Sequence, residues 1–394
     1  MLIQDYKAQS LKKVISRQDV RNWDLWSNRP EMTLELTRLE RSIRHTGFNI
    51  GTPQRGHHNG FQTFQSSRAV DHVALKMTDY YIRRIYRVKQ SDRSRIIREI
   101  RALIEDSGSL SIIREDVRSF YDSIPFDQII QKVEGDLILC QKGVSLLQDL
   151  NRQLSQLGYQ GLPRGIGVSA TLSELYTEAV DKYMRSRSEV FYYARYVDDV
   201  FILTENQSAA AVRDILREKL DQLGLTLHTG SHKSLCQQTK SADFSYLGYH
   251  FKTTVNSKRK PTTEVSISPE KVKKIKRRII KSFVAFQREH NFINLLNRLR
   301  YLSCNKIVKK SVNGDVLSGL KYNYCEVSTF DKFKVFDGFL ISILDNNRRL
   351  TAGLTATQKQ RLRKISFFRA AKRGIVAKYS RRKVDHLKLA WINE

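Results

Sequence analysis

Two adjacent carboxylates, Asp198 and Asp199, are the residues of this sequence most suited to chemistry. They lie between two runs of aromatic and β-branched residues, 191–196 and 200–203. Such runs are typical of strands, so the acids are predicted at the turn of a β-hairpin. Carboxylates this close together need cations to neutralise them, and Mg²⁺ held by carboxylates and phosphates meets that need. The alternative is a solvated acidic turn, which is an ordinary hairpin signal.

A third carboxylate, Asp116, lies 82 residues before Asp198 at the end of a predicted strand, 111–116. Three acids that converge from strand ends can hold two Mg²⁺ ions, with Mn²⁺ as a possible substitute. One ion would activate an attacking hydroxyl, and the other would bridge a triphosphate and stabilise the leaving oxygen. The three acids therefore favour phosphoryl transfer over a solvated turn.

The charge of the chain indicates a polyanionic partner. Its 394 residues carry 69 Lys and Arg against 40 Asp and Glu, a formal net charge of +29. Residues 258–310 hold 16 Lys or Arg against 3 acids, and residues 345–394 hold 14 against 3. No apolar run approaches the roughly 20 residues of a spanning helix, so nucleic acid is favoured over a membrane surface. Four scattered cysteines and no signal-like start are typical of a cytoplasmic protein.

The elements that must position these acids are predicted from apolar periodicity. Adjacent His57 and His58 are predicted in a polar loop, and Ser169 is predicted to cap the helix that begins at 168. Helices are expected at 1–50, 70–86, 93–105, 126–157, 168–185, 208–223, 269–289, 291–303, 330–345 and 355–373, and strands at 111–116, 191–203, 225–228 and 244–251.

Four motifs together resemble the palm of reverse transcriptases. Tyr196-Val-Asp-Asp199 resembles their Tyr-x-Asp-Asp signature, and Asp116-Val-Arg-Ser-Phe-Tyr121 resembles their first palm motif. Gly161-Leu-Pro-Arg-Gly-Ile-Gly-Val-Ser169 resembles their Gly-x-Pro-Gln-Gly-x-x-x-Ser loop. Residues 225–233 and Tyr246-Leu-Gly-Tyr249 resemble their later lysine-bearing and primer-grip segments. The resemblance implies an α+β right-hand polymerase with fingers, an antiparallel palm sheet, a helical thumb and a basic helical C-terminal extension.

The same resemblance assigns roles to residues of the active site. Catalysis falls to Asp116, Asp198 and Asp199, and the metal-binding set adds Val117. Tyr121 would collide with a 2′-hydroxyl and so select deoxynucleotides; Asp122, next along a strand, would face away. The nucleotide-binding set is completed by Arg164, which replaces the usual Gln, by Lys233 near the pyrophosphate, and by Arg68 in the fingers. For Arg68 and Lys233 an exposed surface role is the alternative, and for Tyr121 a place in the core.

The resemblance also implies how the chain is divided and where nucleic acid binds. The expected segments are 1–110 for the N-terminal and fingers region, 111–257 for the palm, 258–310 for the thumb and 311–394 for the basic extension. Positive side chains of the thumb would follow a duplex backbone. The nucleic-acid-binding set is Lys271, Lys274, Arg277, Arg278, Lys281, Tyr246 and Gly248.

Among reverse transcriptases, the sequence most resembles bacterial enzymes of the unknown-group, antiphage-defence type, in particular the short enzyme of the type three defence system. That resemblance implies a non-coding RNA template, a DNA product, deoxynucleoside triphosphates as substrates, and possible association with a second reverse transcriptase or with itself. Two other hypotheses stay open: template-independent or protein-primed DNA synthesis, and a catalytically idle RNA-binding scaffold.

Overall fold

The computed structural model describes residues 2–58, 60–106, 108–230, 233–255, 261–309 and 316–392. The chain divides into two compact units: Met1–Asp92 with Leu110–Gln237, and Arg93–Ser109 with Gln238–Glu394. We call them unit 1 and unit 2. Residues 258–260 and 310 of the expected thumb segment lie outside the described residues, and the four expected segments stay predictions.

Helices make up about half of each unit. They are α1 (Ala8–Val14), α2 (Arg17–Trp23), α3 (Arg29–Arg44), α4 (Ala69–Ile85), α5 (Arg93–Asp106), α6 (Phe120–Ser123), α7 (Phe126–Gly135), α8 (Gln141–Gln156), α9 (Val168–Arg185), α10 (Ala209–Asp221), α11 (Pro269–Glu289), α12 (Phe292–Ser303), α13 (Leu320–Asn323), α14 (Lys334–Asn346), α15 (Ala356–Arg363), α16 (Phe367–Arg373) and α17 (Arg381–Lys388). In the described part of the chain, no helix is long and apolar enough to cross a membrane.

The strands form four small sheets. They are β1 (Gln54–His58), β2 (Phe61–Gln65), β3 (Leu110–Asp116), β4 (Val190–Tyr196), β5 (Asp199–Glu205), β6 (Leu235–Gln238), β7 (Asp243–Tyr246), β8 (Tyr249–Val255), β9 (Pro261–Ile267), β10 (Lys306–Lys309) and β11 (Val316–Ser318). The sheet orders are β1-β2, β4-β5-β3-β6, β7-β8-β9 and β10-β11.

The four-stranded sheet of unit 1 is built around β5. Val200, Phe201, Ile202 and Leu203 are all fully buried, because β5 lies between β3 and β4 and both of its faces are covered. Both of these neighbours run antiparallel to β5. Helix α9 packs against β4 and α4. Burying each large apolar side chain of this core contributes about 1.5–3 kcal/mol, so β3 and β5 form a rigid base for the residues at their ends.

Unit 2 combines the three-stranded sheet with the C-terminal helices. Helix α5 packs against β9, and α11 packs against α12 and α14. Helix α11 buries Phe283 and Phe286 on one side, and Phe292 of α12 is also buried. These aromatic rings therefore belong to the core of unit 2.

Several local predictions are wrong. The segment 225–228 forms a single bridge between Val117 and Leu227 rather than a strand. His57 and His58 lie in β1, not in a loop. The segment 244–251 is two strands, because Leu247 and Gly248 turn the chain with φ of +47° and +79°.

Helix boundaries differ for identifiable reasons. The hydroxyl of Ser169 donates to the carbonyl of Pro163 at 2.7 Å, so it does not cap α9. The predicted helix 355–373 is interrupted between α15 and α16. The interruption follows from Ser366, which caps α16 and donates to Asp337 at 2.6 Å.

Candidate active site

The three predicted acids come together at one end of the unit 1 sheet. Asp116, the last residue of β3, is the direct cross-strand partner of Asp199, the first residue of β5. Directly opposed residues of antiparallel strands place their Cβ atoms about 4.5–5.5 Å apart on the same face. Asp198 lies in the adjoining turn, where its carbonyl accepts the Val117 N–H at 2.9 Å. The end of β3 is therefore joined by its backbone to the acidic turn.

The turn between β4 and β5 is strained at Val197. Tyr196 pairs with Asp199, so Val197 and Asp198 form a two-residue turn. Val197 has φ of +61°, which is costly for a β-branched residue and is the feature of a type II′ turn. The guanidinium of Arg195 donates to the Val197 carbonyl at 2.9 Å. Strain of this kind persists only where the surroundings hold it in place.

Arg195 is itself fixed inside unit 1. Its side chain is 2% exposed and ion-paired with Glu174 at 2.6 Å and Asp181 at 2.8 Å, both on α9. Burial disfavours its charge, but these partners raise the pKa of Arg195 far above the usual range. The buried cation therefore links α9 to the acidic turn.

The carboxylates at the turn are largely buried and repel one another. Burial, followed by the neighbouring charges of Asp198 and Asp116, raises the pKa of Asp199 to about 7. Burial is also the first cause that raises the pKa of Asp198, with Asp116 adding to it. Bound divalent cations would relieve this repulsion.

Two basic side chains, those of Lys233 and His228, contact Asp116. The ammonium of Lys233 donates to its Oδ2 at 2.6 Å, and Nε2 of His228 lies 3.4 Å from its Oδ1. Burial alone would lower the pKa of Lys233, but its bond to Asp116 and the nearby acids raise it. The sequence predicted Lys233 as a nucleotide-binding residue near the pyrophosphate, and it gave no sign of His228. The backbone of His228 donates to the Asp116 carbonyl at 2.9 Å, a contact between distant segments that no local pattern shows.

The acids offer the ligand chemistry of Mg²⁺, which prefers carboxylate and carbonyl oxygens. Among the described residues, however, no three His, Cys, Asp or Glu side chains are already grouped as metal ligands. Asp116 is bound instead by Lys233 and His228. The donor types and the mutual repulsion of the acids fit a divalent ion, and the metal-binding set of Asp116, Val117, Asp198 and Asp199 stays a prediction.

Tyr121 lies against the glycine-rich loop, in α6 rather than on a strand. Its carbonyl accepts the Leu162 N–H at 2.8 Å. A Cβ on Gly161 would lie 2.7 Å from the backbone of Tyr121 and Asp122, so only glycine permits this approach. Asp122 lies on the same short helix and does not face away as predicted.

Arg164 is stacked between two aromatic rings. Its guanidinium lies 4.3 Å from the ring centroid of Phe61 and 5.3 Å from that of Tyr121. It is also ion-paired with Asp122 at 3.0 Å. The charge of Arg164 is thus already neutralised within the loop, which favours a role in holding Tyr121 over binding phosphate.

Arg68, the fingers candidate, has partners within its own region. It is ion-paired with Asp71 at 2.7 Å and donates to the Asn49 carbonyl at 2.6 Å. Its side chain is 50% exposed, so part of the guanidinium surface is open to solvent. Its binding of a triphosphate stays a prediction.

The predicted nucleic-acid-binding residues belong to unit 2. Tyr246 is 2% exposed, so its ring serves the packing of β7. Gly248 lies in the β7–β8 turn, where a Cβ would approach Arg93 within 3.2 Å. Arg93 donates to the Leu247 carbonyl at 2.8 Å and stacks on Tyr249 at 4.8 Å, so it supports this turn.

The basic residues predicted to bind nucleic acid lie on α11. Lys271 and Arg277 are exposed, and Lys274, Arg278 and Lys281 are partly buried. The opposite side of the helix is apolar and buried. Their contact with a phosphate backbone stays a prediction.

Comparison with known proteins gives one family match. Residues 64–251 match the family described as reverse transcriptase (RNA-dependent DNA polymerase). Together with the mixed helices and antiparallel strands, this match confirms the predicted α+β right-hand polymerase fold class. No curated protein matches the chain.

Two solved structures are similar to half of the chain. Apo telomerase from Candida tropicalis, truncated from the C-terminal domain, is 13% identical with a TM-score of 0.35; the match covers 50% of this chain and 45% of that one. Telomerase from Candida albicans in complex with the TWJ fragment of telomeric RNA is 13% identical with a TM-score of 0.33, covering 50% and 37%. The chain spans less than half of the length of either telomerase.

Proposed function

We propose that the protein extends a primer with deoxynucleoside triphosphates on an RNA template. Residues 64–251 support this proposal, because their match to the reverse transcriptase family indicates an RNA-directed DNA polymerase, which is a nucleotidyltransferase. The observation that supports this most is the pairing of Asp116 with Asp199, with Asp198 in the adjoining turn. The family match and this pairing both support the assignment of these acids to the reaction.

We assign metal binding to Asp116, Asp198 and Asp199, with Val117 beside them. Two Mg²⁺ ions, or Mn²⁺, would supply activation of the primer hydroxyl and neutralisation of charge on the transferred phosphoryl group. The chain's own contribution is geometric: β3 and β5 fix two carboxylates in register, and the strained turn presents the third. Such positioning is worth many orders of magnitude in rate.

Tyr121 is proposed to select the sugar. Its ring is partly buried between Phe120 and Arg164, at 5.5 and 5.3 Å, which limits its rotation. A ring held in place can exclude a 2′-hydroxyl by its bulk. Arg164 then contributes by holding the ring.

Lys233 is proposed to act at the leaving pyrophosphate. Its raised pKa keeps it protonated at neutral pH, as an acid or a counter-charge requires. Its contact with Asp116 supports this role, because the ammonium lies beside a carboxylate of the proposed metal site.

Unit 2 is proposed to bind the nucleic-acid duplex. Its α11 presents Lys271, Lys274, Arg277, Arg278 and Lys281, and the β7–β8 turn is the proposed primer grip. Phosphate contacts of this kind supply affinity without sequence preference.

The biological role we propose is antiphage defence in the bacterial cytoplasm, with a dedicated non-coding RNA as template and a DNA product. Association with a second reverse transcriptase, or with another copy of this chain, is part of the same proposal. It rests on the motif resemblance at 161–175 and 195–200.

Primer extension with labelled deoxynucleotides tests the central proposal. We expect Asp198→Asn/Asp199→Asn protein to lose Mg²⁺-dependent incorporation, and Asp214→Asn, a change of an exposed acid on α10, to retain it. Incorporation by the double variant at the wild-type rate would contradict the proposed site. Absence of turnover by the wild type with any metal would favour the idle scaffold.

Ribonuclease treatment before the assay tests the template. Loss of synthesis after treatment is expected for an RNA template. Synthesis that continues on added primer or on the protein itself would favour template-independent or protein-primed synthesis. Sequencing the nucleic acid that co-purifies with the protein identifies the RNA.

A further inference from the structure

Beside Lys233 lies a second polar network, formed by Glu115, Arg213 and Ser234. We propose that these three side chains are positioning residues that hold the segment bearing Lys233 against the end of β3, and so fix its ammonium at Asp116. The inference rests on the proposed role of Lys233 in the reaction and adds the residues on which that role depends.

Two adjacent residues of the segment after Gly230 bind two adjacent residues at the end of β3. Lys233 donates to Asp116 at 2.6 Å, and the next residue, Ser234, donates through Oγ to Glu115 at 3.0 Å. Side chains alternate along a strand, so Glu115 and Asp116 face opposite sides of β3. The segment is thus attached on both sides of the strand end.

Arg213 joins the network from α10. Its Nε donates to the Glu115 carboxylate at 2.5 Å, and its Nη2 donates to Ser234 Oγ. The Ser234 hydroxyl therefore accepts from Arg213 and donates to Glu115. A planar guanidinium can serve two such acceptors at fixed angles, which a lysine ammonium does not reproduce.

The Glu115–Arg213 pair is more buried than the Lys233 side chain. The side chain of Glu115 is 1% exposed and that of Arg213 is 32% exposed, whereas that of Lys233 is 53% exposed. A long, exposed lysine side chain has many rotamers, so its position depends on the backbone that carries it. That backbone is fixed by the Ser234 side chain and by two hydrogen bonds, because the N–H groups of Lys233 and Ser234 both donate to the Gly230 carbonyl, at 2.9 and 3.0 Å.

A purely structural reading is that Arg213 only neutralises buried Glu115. In that case the Ser234 hydroxyl would be dispensable for the reaction, because the ion pair does not need it. Removing Arg213 is expected to disturb folding, since it leaves the buried Glu115 carboxylate without its counter-charge. Ser234→Ala is the more informative change because it keeps the ion pair.

The experiment compares Ser234→Ala, Lys233→Ala and the double variant in primer extension, with melting curves to verify folding. We expect Ser234→Ala to lower kcat about tenfold with KM for the nucleotide nearly unchanged, because a misplaced proton donor slows chemistry rather than binding. In the Lys233→Ala background the same change should have no further effect. Ser186→Ala, whose hydroxyl donates to the Tyr183 carbonyl at the end of α9, is the matched control.

A second pair of variants tests the guanidinium. Arg213→Lys keeps a positive charge beside Glu115 and is expected to lower kcat several-fold, whereas Arg217→Lys, one turn further along α10 in an exposed pair with Asp214, should not.

Three results would overturn the inference. In the first, Ser234→Ala keeps the wild-type kcat although Lys233→Ala is impaired. In the second, Ser234→Ala slows the reaction equally with and without Lys233, and in the third, Lys233→Ala is fully active, so that there is no role of Lys233 for the network to support. Failure of the proposed function is seen separately, as absence of deoxynucleotide incorporation by the wild-type protein.

Discussion

At the scale of single residues, the position of the acidic turn depends on Arg195. Replacing it with methionine leaves Glu174 and Asp181 buried without their cation and the Val197 carbonyl without its donor. We expect unit 1 to lose about 3–5 kcal/mol of stability, and activity to fall with it, because a buried charge has lost its partner. Thermal melting and primer extension measure the two effects.

The control for this change is Arg187→Met. Arg187 is ion-paired with Glu189 near the start of β4, and both side chains are about 30% exposed. Exposed pairs of this type contribute little to stability, so Arg187→Met should leave the melting temperature and the activity close to those of the wild type. Equal effects of the Arg195 and Arg187 substitutions would show that the buried network does not hold the turn.

Sugar selection should depend on Arg164 as well as on Tyr121. Arg164→Gln removes both the stacking on Tyr121 and the ion pair with Asp122. We expect the ratio of kcat/KM for deoxynucleotides over ribonucleotides to fall about tenfold, because a freer ring excludes the 2′-hydroxyl less well. Incorporation of each nucleotide type on one primer and template measures the ratio.

Arg44→Gln, on an exposed ion pair of α3, serves as the control for sugar selection. Loss of deoxynucleotide incorporation with an unchanged ratio would instead assign Arg164 to phosphate or template binding. An unchanged ratio in Tyr121→Val would show that Tyr121 does not select the sugar.

Lys306 gives a dependence of stability on pH that is independent of the active site. Burial, followed by the charges of Lys388 and Arg278, lowers its pKa to about 8, and its ammonium lies 3.6 Å from the Tyr301 ring centroid. In the unfolded chain the pKa of this lysine is about 10.4, so the unfolded state binds more protons than the folded state between about pH 8 and 10.4. The buried charge therefore lowers the stability of the folded state below about pH 8, and this loss of stability disappears as the pH rises to about 10.4. We expect Lys306→Met to raise the melting temperature at pH 7 and much less at pH 10. An equal gain at both pH values would contradict this account.

At the scale of elements, the glycine-rich loop fixes the β1–β2 hairpin. Gly165 has φ of +99°, and a Cβ there would lie 2.5 Å from the Phe64 carbonyl. The neighbouring Arg164 carbonyl accepts the Phe64 N–H at 2.7 Å. We expect Gly165→Ala to cost about 1–3 kcal/mol and to speed hydrogen exchange of the Phe64 amide.

Gly167→Ala is the matched control for the loop. Gly167 has φ of −59° and precedes α9, and a Cβ there would meet no atom within 4 Å. Its melting temperature should therefore stay close to that of the wild type. Faster exchange at Phe64 in both variants would show that the loop is sensitive to any added methyl group.

The elements that position the acids could largely be predicted from the sequence, because their patterns are local. The hairpin of β4 and β5 and the helix α11 follow from alternation and apolar periodicity. His228 and Asp122 could not be placed, because their positions depend on contacts with residues far along the chain. The same holds for Arg93, which supports the β7–β8 turn from 154 residues away.

At the scale of the whole molecule, the positive charge is concentrated where nucleic acid is proposed to bind. Of the formal charge of +29, most comes from 258–310 and 345–394. Charge alone attracts any polyanion, whereas specific phosphate contacts release counterions in proportion to their number. The salt dependence of binding therefore distinguishes a binding surface from a merely basic protein.

The triple variant Lys271→Gln, Lys273→Gln and Arg277→Gln neutralises three exposed residues of α11. The logarithm of the binding constant falls as the logarithm of the salt concentration rises, and this slope should become less steep by about 2–3, at about 0.9 for each lost contact with duplex DNA. Neutralising Lys7, Lys12 and Lys13 in unit 1 changes the net charge equally and should leave the slope nearly unchanged. Binding of a labelled primer–template duplex at several salt concentrations gives both slopes. If the two triple variants lower the slope equally, α11 is not the binding surface, since the effect then follows net charge rather than contact.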